Sequence, residues 1–352
     1  MTAQSPENVP PDGGLPPQET VLVTGGAGFI GGGIARRLAA VGCAVRSLSR
    51  RRYPELEAAG ITSIAGDLTD REAVLAAAEG CSIVFHVAAL AGYWGRRADF
   101  ERTNIAGTES VLAACRAHGI DRLVFTSSPS VTFAGRDQQG VDESEPYPDR
   151  HLSDYPRTKA IAERAVRAAA DGSLATVSLR PHLVWGPGDP HFLPRLVERA
   201  RAGRLKLVGD GSARVDSTYI DNAVDAHLAA ASRLRPGAPL SGRAYFISNG
   251  EPIAIGTLIR GLLDAAGIEE PRIGSVPGGV AFTVGALLEG LHRGLRLRGE
   301  PAVTRFVARQ LATDHWFDLS GAQRDFGWSP RVSNREGFSR LRAALAQERE
   351  TA

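Results

Sequence analysis

At 352 residues, with 43% hydrophobic and 23% charged residues, the chain can bury a large core as one domain or two. A formal net charge of +2, with cations scattered except for Arg50-Arg51-Arg52, gives no footing for nucleic-acid binding. The three cysteines, Cys43, Cys81 and Cys115, show no metal-ligand spacing and leave an odd count, which argues against a metal site or a disulfide framework and for a reduced, cytoplasmic compartment.

Residues 1–18 are rich in proline, glycine and polar side chains, contain no lysine or arginine, and read as a disordered tail rather than a signal peptide. A first buried strand is expected at 21–24 and a helix at 30–40, ending near Gly42. Further strands are expected at 44–49, 61–65, 83–87, 123–126 and 175–179, with helices at 71–78, 102–118 and 158–170. Repeated strand–helix units imply an α/β fold, a Rossmann-type doubly wound parallel sheet covered on both faces. After Pro181 glycine and proline multiply and connections lengthen, with single strands at 205–208 and 245–248. This reads as a smaller C-terminal part, 182–352, closing over the 19–181 domain, with 245–248 able to return to the main sheet. No transmembrane segment is expected, because the nearest candidate run, 280–288, is far short of roughly 20 residues and stops at Glu289.

The run Thr24-Gly25-Gly26-Ala27-Gly28-Phe29-Ile30-Gly31 joins the first strand to the first helix. Gly25 suits a tight turn, Gly28 a close approach of backbone to a pyrophosphate, and Gly31 close packing of helix on strand. The helix N-terminus then offers amides and positive dipole to phosphates. A dinucleotide domain over 19–181 follows. At the end of the second strand, where a carboxylate would bind a ribose 2′-hydroxyl, stand Ser49 and Arg50. A serine and a guanidinium accept a 2′-phosphate, so NADPH is expected over NADH, with NAD(H) kept as an alternative. Arg51 and Arg52 read equally well as a solvated turn. Asp67 and Leu68 are placed for the adenine ring, and Ala88 and Ala89 are small enough to admit the cofactor backbone.

Tyr155 and Lys159 lie four residues apart, one turn along a helix. A phenol near pKa ~10 is a poor acid–base group at neutral pH, and a nearby ammonium would lower that value. Lys159 could also bind the nicotinamide ribose. Ser128, at the mouth of the fifth strand, would hydrogen-bond the substrate oxygen, with Ser127 shaping the turn. In the reducing direction Tyr155 protonates the oxygen while Ser128 polarises the carbonyl.

With these residues, His86-Val87-Ala88-Ala89, Asn104 with Gly107-Thr108, and Arg180-Pro181, the sequence resembles the extended short-chain dehydrogenase/reductase family over roughly 19–345. Residues 180–189, 208–222, 245–252 and 325–330 are most similar to its 3β-hydroxysteroid dehydrogenase-like branch. Within that branch, residues 88–94, 297–301 and 304–306 resemble bacterial members that reduce long-chain β-keto acids with NADPH during olefin biosynthesis. The resemblance implies reduction of a 2-alkyl-3-oxoalkanoate to the 2-alkyl-3-hydroxyalkanoate, a lipid-like substrate, and Phe29, Ile30 and Pro181 as further cofactor contacts. It also implies a homodimer through helices such as 102–118 and 158–170, and association with other enzymes of a lipid pathway. His86 stands where the family often has asparagine, leaving its role open. Pro129 and Ser130 stand where dehydratases carry an acidic pair, which argues against elimination chemistry. Two rival readings remain: a 3β-hydroxysteroid or sterol dehydrogenase using NAD, and a non-catalytic NADP(H) sensor.

Substrate choice is expected in residues 91–95, which include Tyr93 and Trp94, and in His182, Trp185, His191 and Phe192. Residues 278–297 could form a lid over an alkyl chain, a core helix, or a membrane-surface or partner-contact helix. His118 and His227 read as surface or satisfied core residues, and Asp221-Asn222 as a helix N-cap.

Overall fold

The computed structural model describes residues 15–297 and 299–351. Its first half runs β1 (Thr20–Thr24), α1 (Phe29–Ala40), β2 (Ala44–Ser49), α2 (Pro54–Ala58), β3 (Thr62–Ala65), α3 (Arg71–Ala78), β4 (Ile83–His86), α4 (Arg97–Phe100), a π-helical stretch (Glu101–Ala106), α5 (Gly107–Ala117), β5 (Arg122–Thr126), β6 (Gln138–Val141), α6 (Asp154–Ala168) and β7 (Ala175–Pro181). The second half runs β8 (Val184–Trp185), α7 (Phe192–Arg201), β9 (Lys206–Val208), β10 (Arg214–Val215), β11 (Thr218–Tyr219), α8 (Ile220–Arg233), β12 (Arg243–Ile247), β13 (Ile253–Ala254), α9 (Ile255–Ala265), β14 (Gly274–Val276), α10 (Gly278–Gly294), α11 (Arg305–Ala312), β15 (His315–Phe317), α12 (Ser320–Phe326) and α13 (Asn334–Thr351).

Seven parallel strands form the main sheet in the order β12-β7-β5-β4-β1-β2-β3. The inner strands are apolar runs because both of their faces are covered. Val21, Val23 and Phe85 pack with α1 and α8, while the alternate residues Leu22, Val84 and Phe125 pack with α3, α5 and α6. The strand order reverses between β1 and β4, which opens a crevice at their carboxyl ends, Thr24 and His86. β12 comes from beyond residue 181 and pairs with β7 from Arg243 opposite Val177 to Ile247 opposite Pro181.

Several expectations change. Of the tail expected at 1–18, residues 1–14 lie outside the described residues, but 15–18 are tied to the fold: Leu15 is buried, and the Gln18 amide donates to Gly42 O at 2.9 Å. The helix expected over 102–118 starts earlier, as α4, and passes through the π-helical stretch before α5. The buried Asn104 lies in that π segment, which places a polar side chain inward. The helix expected over 158–170 begins at Asp154, because Pro156 in a first turn forfeits no intrahelical hydrogen bond. β6, β10, β13 and β15 all fall where no strand was expected, and they form a second, four-stranded sheet.

Candidate active site

The turn after β1 is shaped by contacts that exclude side chains. Gly25 has φ +71°, and a Cβ there would lie 3.0 Å from Ala88 Cα. A Cβ on Gly31 would lie 2.3 Å from the Gly25 carbonyl oxygen. Gly28 is the N-cap of α1, no side chain caps that terminus, and its first turn, with Phe29, Ile30 and Gly31, carries no acidic residue. The first-turn amides therefore keep their capacity for an anion, and the turn itself carries no carboxylate to oppose one. This cradle fits the diphosphate of a dinucleotide.

At the end of β2, Ser49 is half-buried and its Oγ lies 3.4 Å from Ser47 Oγ. Arg50 is exposed near Asp67. Asp67 accepts the Thr69 amide at 2.9 Å, and that bond, aided by Arg102 and Arg50, holds its carboxyl below the usual range. Arg51 packs over the Tyr53 ring at 4.9 Å. The Leu68 side chain is buried and packs where a Cβ on Gly107 would meet it at 2.9 Å, which leaves Asp67 as the exposed member of that pair. Ala88 and Ala89, both half-buried, follow β4, and the Ala88 amide donates to Thr24 O at 3.1 Å. Pro181 is buried at the end of β7.

His86, whose role the sequence left open, is a pin between elements. Its Nδ1 lies 2.8 Å from Thr24 Oγ1 and its Nε2 3.0 Å from Thr108 Oγ1. Burial, reinforced by the charge of Lys159, lowers its pKa to about 3, so the ring is neutral. Asn104 does similar work one layer out. It accepts the Leu90 amide at 2.8 Å and donates to Leu90 O at 3.2 Å and to Thr158 Oγ1 at 3.1 Å, tying the segment after β4 to α6.

Ser128 caps a short 3-10 turn directly after β5, with its Oγ 2.9 Å from Ser130 Oγ. Tyr155 and Lys159 project from the first turns of α6 onto the same end of the sheet. The Lys159 ammonium is buried, donates to Thr126 O at 2.6 Å and lies 4.0 Å from the Phe125 ring centroid. Burial lowers its pKa to about 7, with Glu163 opposing that shift. The expected lowering of the Tyr155 phenol by Lys159 is not found. Burial and the neighbouring Tyr93 push it above its ordinary value, and a hydrogen bond with Ser128 pulls the other way. Lys159 spends its hydrogen bond on a backbone carbonyl instead. Ser128, Tyr155 and Lys159 are thus brought together beside the glycine cradle, at the carboxyl ends of β1, β4 and β5.

Glu163 continues the 155, 159 series by one more turn, a spacing that could have flagged it. It is fully buried and grips Arg180 through two bonds of 2.6 and 3.0 Å, and it also accepts from Tyr147 Oη. Burial works against its ionisation, but Arg180 holds its pKa below the usual range.

The substrate side is partly redrawn. Tyr93 meets Tyr155 edge-on at 5.9 Å and stacks on Phe306 of α11 at 4.6 Å. Trp94 lies against His292 and under Arg293 of α10. Trp185, expected here, is instead a core residue. It is fully buried, donates to Ser217 Oγ at 2.9 Å and stacks on Phe338. His182 is buried, bonded to Asp216 O and packed against Phe317, and burial lowers its pKa to about 4. His191 is exposed at the start of α7, and Phe192 packs on the main core. Asp221-Asn222 is not a cap: the N-cap of α8 is Tyr219, and Asn222 bridges Asn249 and Val332. His227 is a satisfied core residue on Thr126 Oγ1 at 2.8 Å, and His118 is exposed against Leu75 O. Residues 278–297 do not form a core helix, since α10 buries only Ala281, Gly285 and Glu289. No helix among the described residues is long and apolar enough to cross a membrane.

The chain is similar to known proteins over nearly its whole length. A chain from Stenotrophomonas maltophilia (strain K279a), named 2-alkyl-3-oxoalkanoate reductase, is 52% identical over 93% of this chain and 99% of its own length. One of the same name from Shewanella oneidensis is 48% identical over 92% of this chain and 86% of its own. The solved structure of MoeE5 in complex with UDP-glucuronic acid and NAD superimposes with a TM-score of 0.72 at 26% identity, covering 94% of this chain and 99% of that one. The model of the 3-beta hydroxysteroid dehydrogenase/isomerase family matches residues 22–277. The chain therefore belongs to the 3-beta hydroxysteroid dehydrogenase/isomerase family of oxidoreductases.

Proposed function

We propose that the protein reduces the ketone of a 2-alkyl-3-oxoalkanoate, a long-chain β-keto acid, to the secondary alcohol with NADPH. The observation that supports this most is the convergence of Ser128, Tyr155 and Lys159 beside a glycine cradle, in a chain 52% identical to a named reductase of that substrate. Bound nicotinamide cofactor supplies the hydride.

The protein's own residues do the rest. The first-turn amides of α1, including Phe29, Ile30 and Gly31, hold the diphosphate. Ser49 and Arg50 take the 2′-phosphate, and Asp67, with the backbone of Leu68, flanks the adenine. Ala88, Ala89 and Pro181 line the channel. A phenol held above its ordinary pKa keeps its proton at neutral pH, which suits Tyr155 as the acid that protonates the carbonyl oxygen. Ser128 donates to that oxygen, and Lys159 binds the ribose and places positive charge under the site. Tyr93, backed by the buried Phe306, and Trp94 wall the substrate. Pairing of two copies through α5 and α6 belongs to the same proposal, with Ile161, 37% exposed on α6, available to the contact.

The test is NADPH oxidation by the purified protein with a 2-alkyl-3-oxoalkanoate, beside a 3-ketosteroid and an NADH control. Turnover of the keto acid with NADPH supports the proposal. Turnover of the steroid alone, or strong preference for NADH, overturns its substrate or cofactor half. Tight NADPH binding without turnover of any ketone overturns catalysis.

A further inference from the structure

α10 packs with small side chains and Phe282 inward and with Val280, Val284, Leu287 and Leu291 outward. Ala281, Gly285 and Glu289 face α11, and a Cβ on Gly285 would lie 2.9 Å from both Arg305 N and Thr304 C. Val280, Val284, Leu287 and Leu291 are 51, 40, 68 and 49% exposed, and Leu295 and Leu297 continue the exposure past the helix end. The other large apolar residues exposed to this degree, among the described residues, are only Tyr93 and Ile161. Steps of four, three and four residues put 280, 284, 287 and 291 on one stripe of the helix.

Charge tells what covers this stripe. Between Pro271 and Gly299 the sequence has one carboxylate, Glu289. That carboxylate is buried and committed to Arg305, accepting its amide at 2.7 Å and its Nε at 3.0 Å. The exposed cations Arg293 and Arg296 sit at the C-terminal end of the helix and just past it, with His292 half-buried beside them. The next carboxylate in the chain, Glu300, is paired with Arg195 at 3.3 Å, so a second copy docked through this face would bring no unpaired carboxylate from it to meet those guanidiniums. A phospholipid surface offers both things the face lacks, an apolar layer and a sheet of anions. The C-terminal end of the same helix also touches the site: Trp94 lies 5.9 Å from His292 and 5.0 Å below Arg293, next to the Tyr93 that meets Tyr155.

We propose that α10 lies in the plane of an anionic phospholipid bilayer, with Val280, Val284, Leu287 and Leu291 in the acyl boundary and Arg293 and Arg296 among the headgroup phosphates. The inference does not depend on which ketone the protein reduces, because its test needs no turnover.

The test is co-sedimentation of the full-length protein with phosphatidylcholine vesicles and with vesicles of about one part phosphatidylglycerol to two of phosphatidylcholine, beside light scattering for the oligomeric state. The wild type is expected to pellet with the anionic vesicles and to bind the neutral ones at least about fivefold more weakly, the factor carried by roughly one guanidinium at a charged surface. Leu287→Glu with Leu291→Glu is expected to stay in the supernatant with an unchanged melting temperature, because both side chains are exposed. Arg293→Gln with Arg296→Gln is expected to bind both vesicle types alike. Three outcomes overturn the proposal: equal binding of the wild type to both vesicles, retained binding by the double glutamate variant, or no vesicle binding by a wild-type dimer that the glutamate pair converts to monomer.

Discussion

The Lys159 ammonium donates to the carbonyl oxygen of Thr126, the last residue of β5, at 2.6 Å. One hydrogen bond thereby fixes α6 against the strand end that leads into Ser128. Tyr155 lies one turn earlier on the same helix face and inherits that placement. The ammonium also lies 4.0 Å from the Phe125 ring centroid, so the charge rests on a ring face instead of on water.

Tyr155→Phe removes the hydroxyl and leaves the ring against Tyr93. Turnover is expected to fall by on the order of 10²–10⁴, the contribution of a positioned proton donor. Cofactor affinity, followed by fluorescence titration, stays near that of the wild type. Near-normal turnover would remove Tyr155 from the chemistry.

Lys159 bears on stability through its proton. Its folded pKa, about 7, lies below the ordinary value of 10.5, so the unfolded chain binds more protons between those limits and stability rises with pH across that window. Lys159→Met abolishes this dependence. In the protein without cofactor, the variant should melt roughly 2 °C or more above the wild type at pH 6.5, and the gap should narrow toward pH 9.5. Melting curves at the two pH values decide; a constant gap would contradict the buried ammonium.

Glu163→Gln strands the Arg180 guanidinium inside the fold. Breaking one partner of a buried ion pair costs about 3–5 kcal/mol, so chemical denaturation should show a large loss of stability. Glu163→Gln with Arg180→Met should recover part of it. If the single variant is as stable as the wild type, the pair is not the internal brace described above.

Ser49→Asp places a carboxylate where the 2′-phosphate of NADPH is proposed to sit. The ratio of kcat/KM for NADPH over NADH should fall by about tenfold or more, as a charge-assisted hydrogen bond is replaced by repulsion. Arg50→Ala should shift the ratio in the same direction by a smaller amount. An unchanged ratio in both variants would place the 2′-phosphate elsewhere.

The central sheet was readable in the sequence because strands buried on both faces must be unbroken apolar runs, as Val21-Leu22-Val23 and Ile83-Val84-Phe85 are. The cradle was readable because its turn tolerates no Cβ at Gly25 or Gly31. Partners distant in the chain were not readable. Trp185 follows a strand as a substrate wall would, yet Ser217 and Phe338 claim it for the core. Tyr155 and Lys159 have the spacing of a proton-transfer pair, but which oxygen the ammonium chooses depends on where β5 ends. The apolar stripe of α10 told that the helix has two faces, not which of them turns outward, because the helical period is the same for both.

Because β12 is drawn from residues 243–247, the sheet that holds the cradle cannot be completed while the ribosome is still short of Ile247. β7, every residue of which is buried in the finished fold, then waits with an open edge. At roughly 5–20 residues per second, that wait lasts several seconds. A nascent chain in this interval is a natural client for chaperones, and a gene fragment ending near residue 181 should yield aggregates instead of a nucleotide-binding domain.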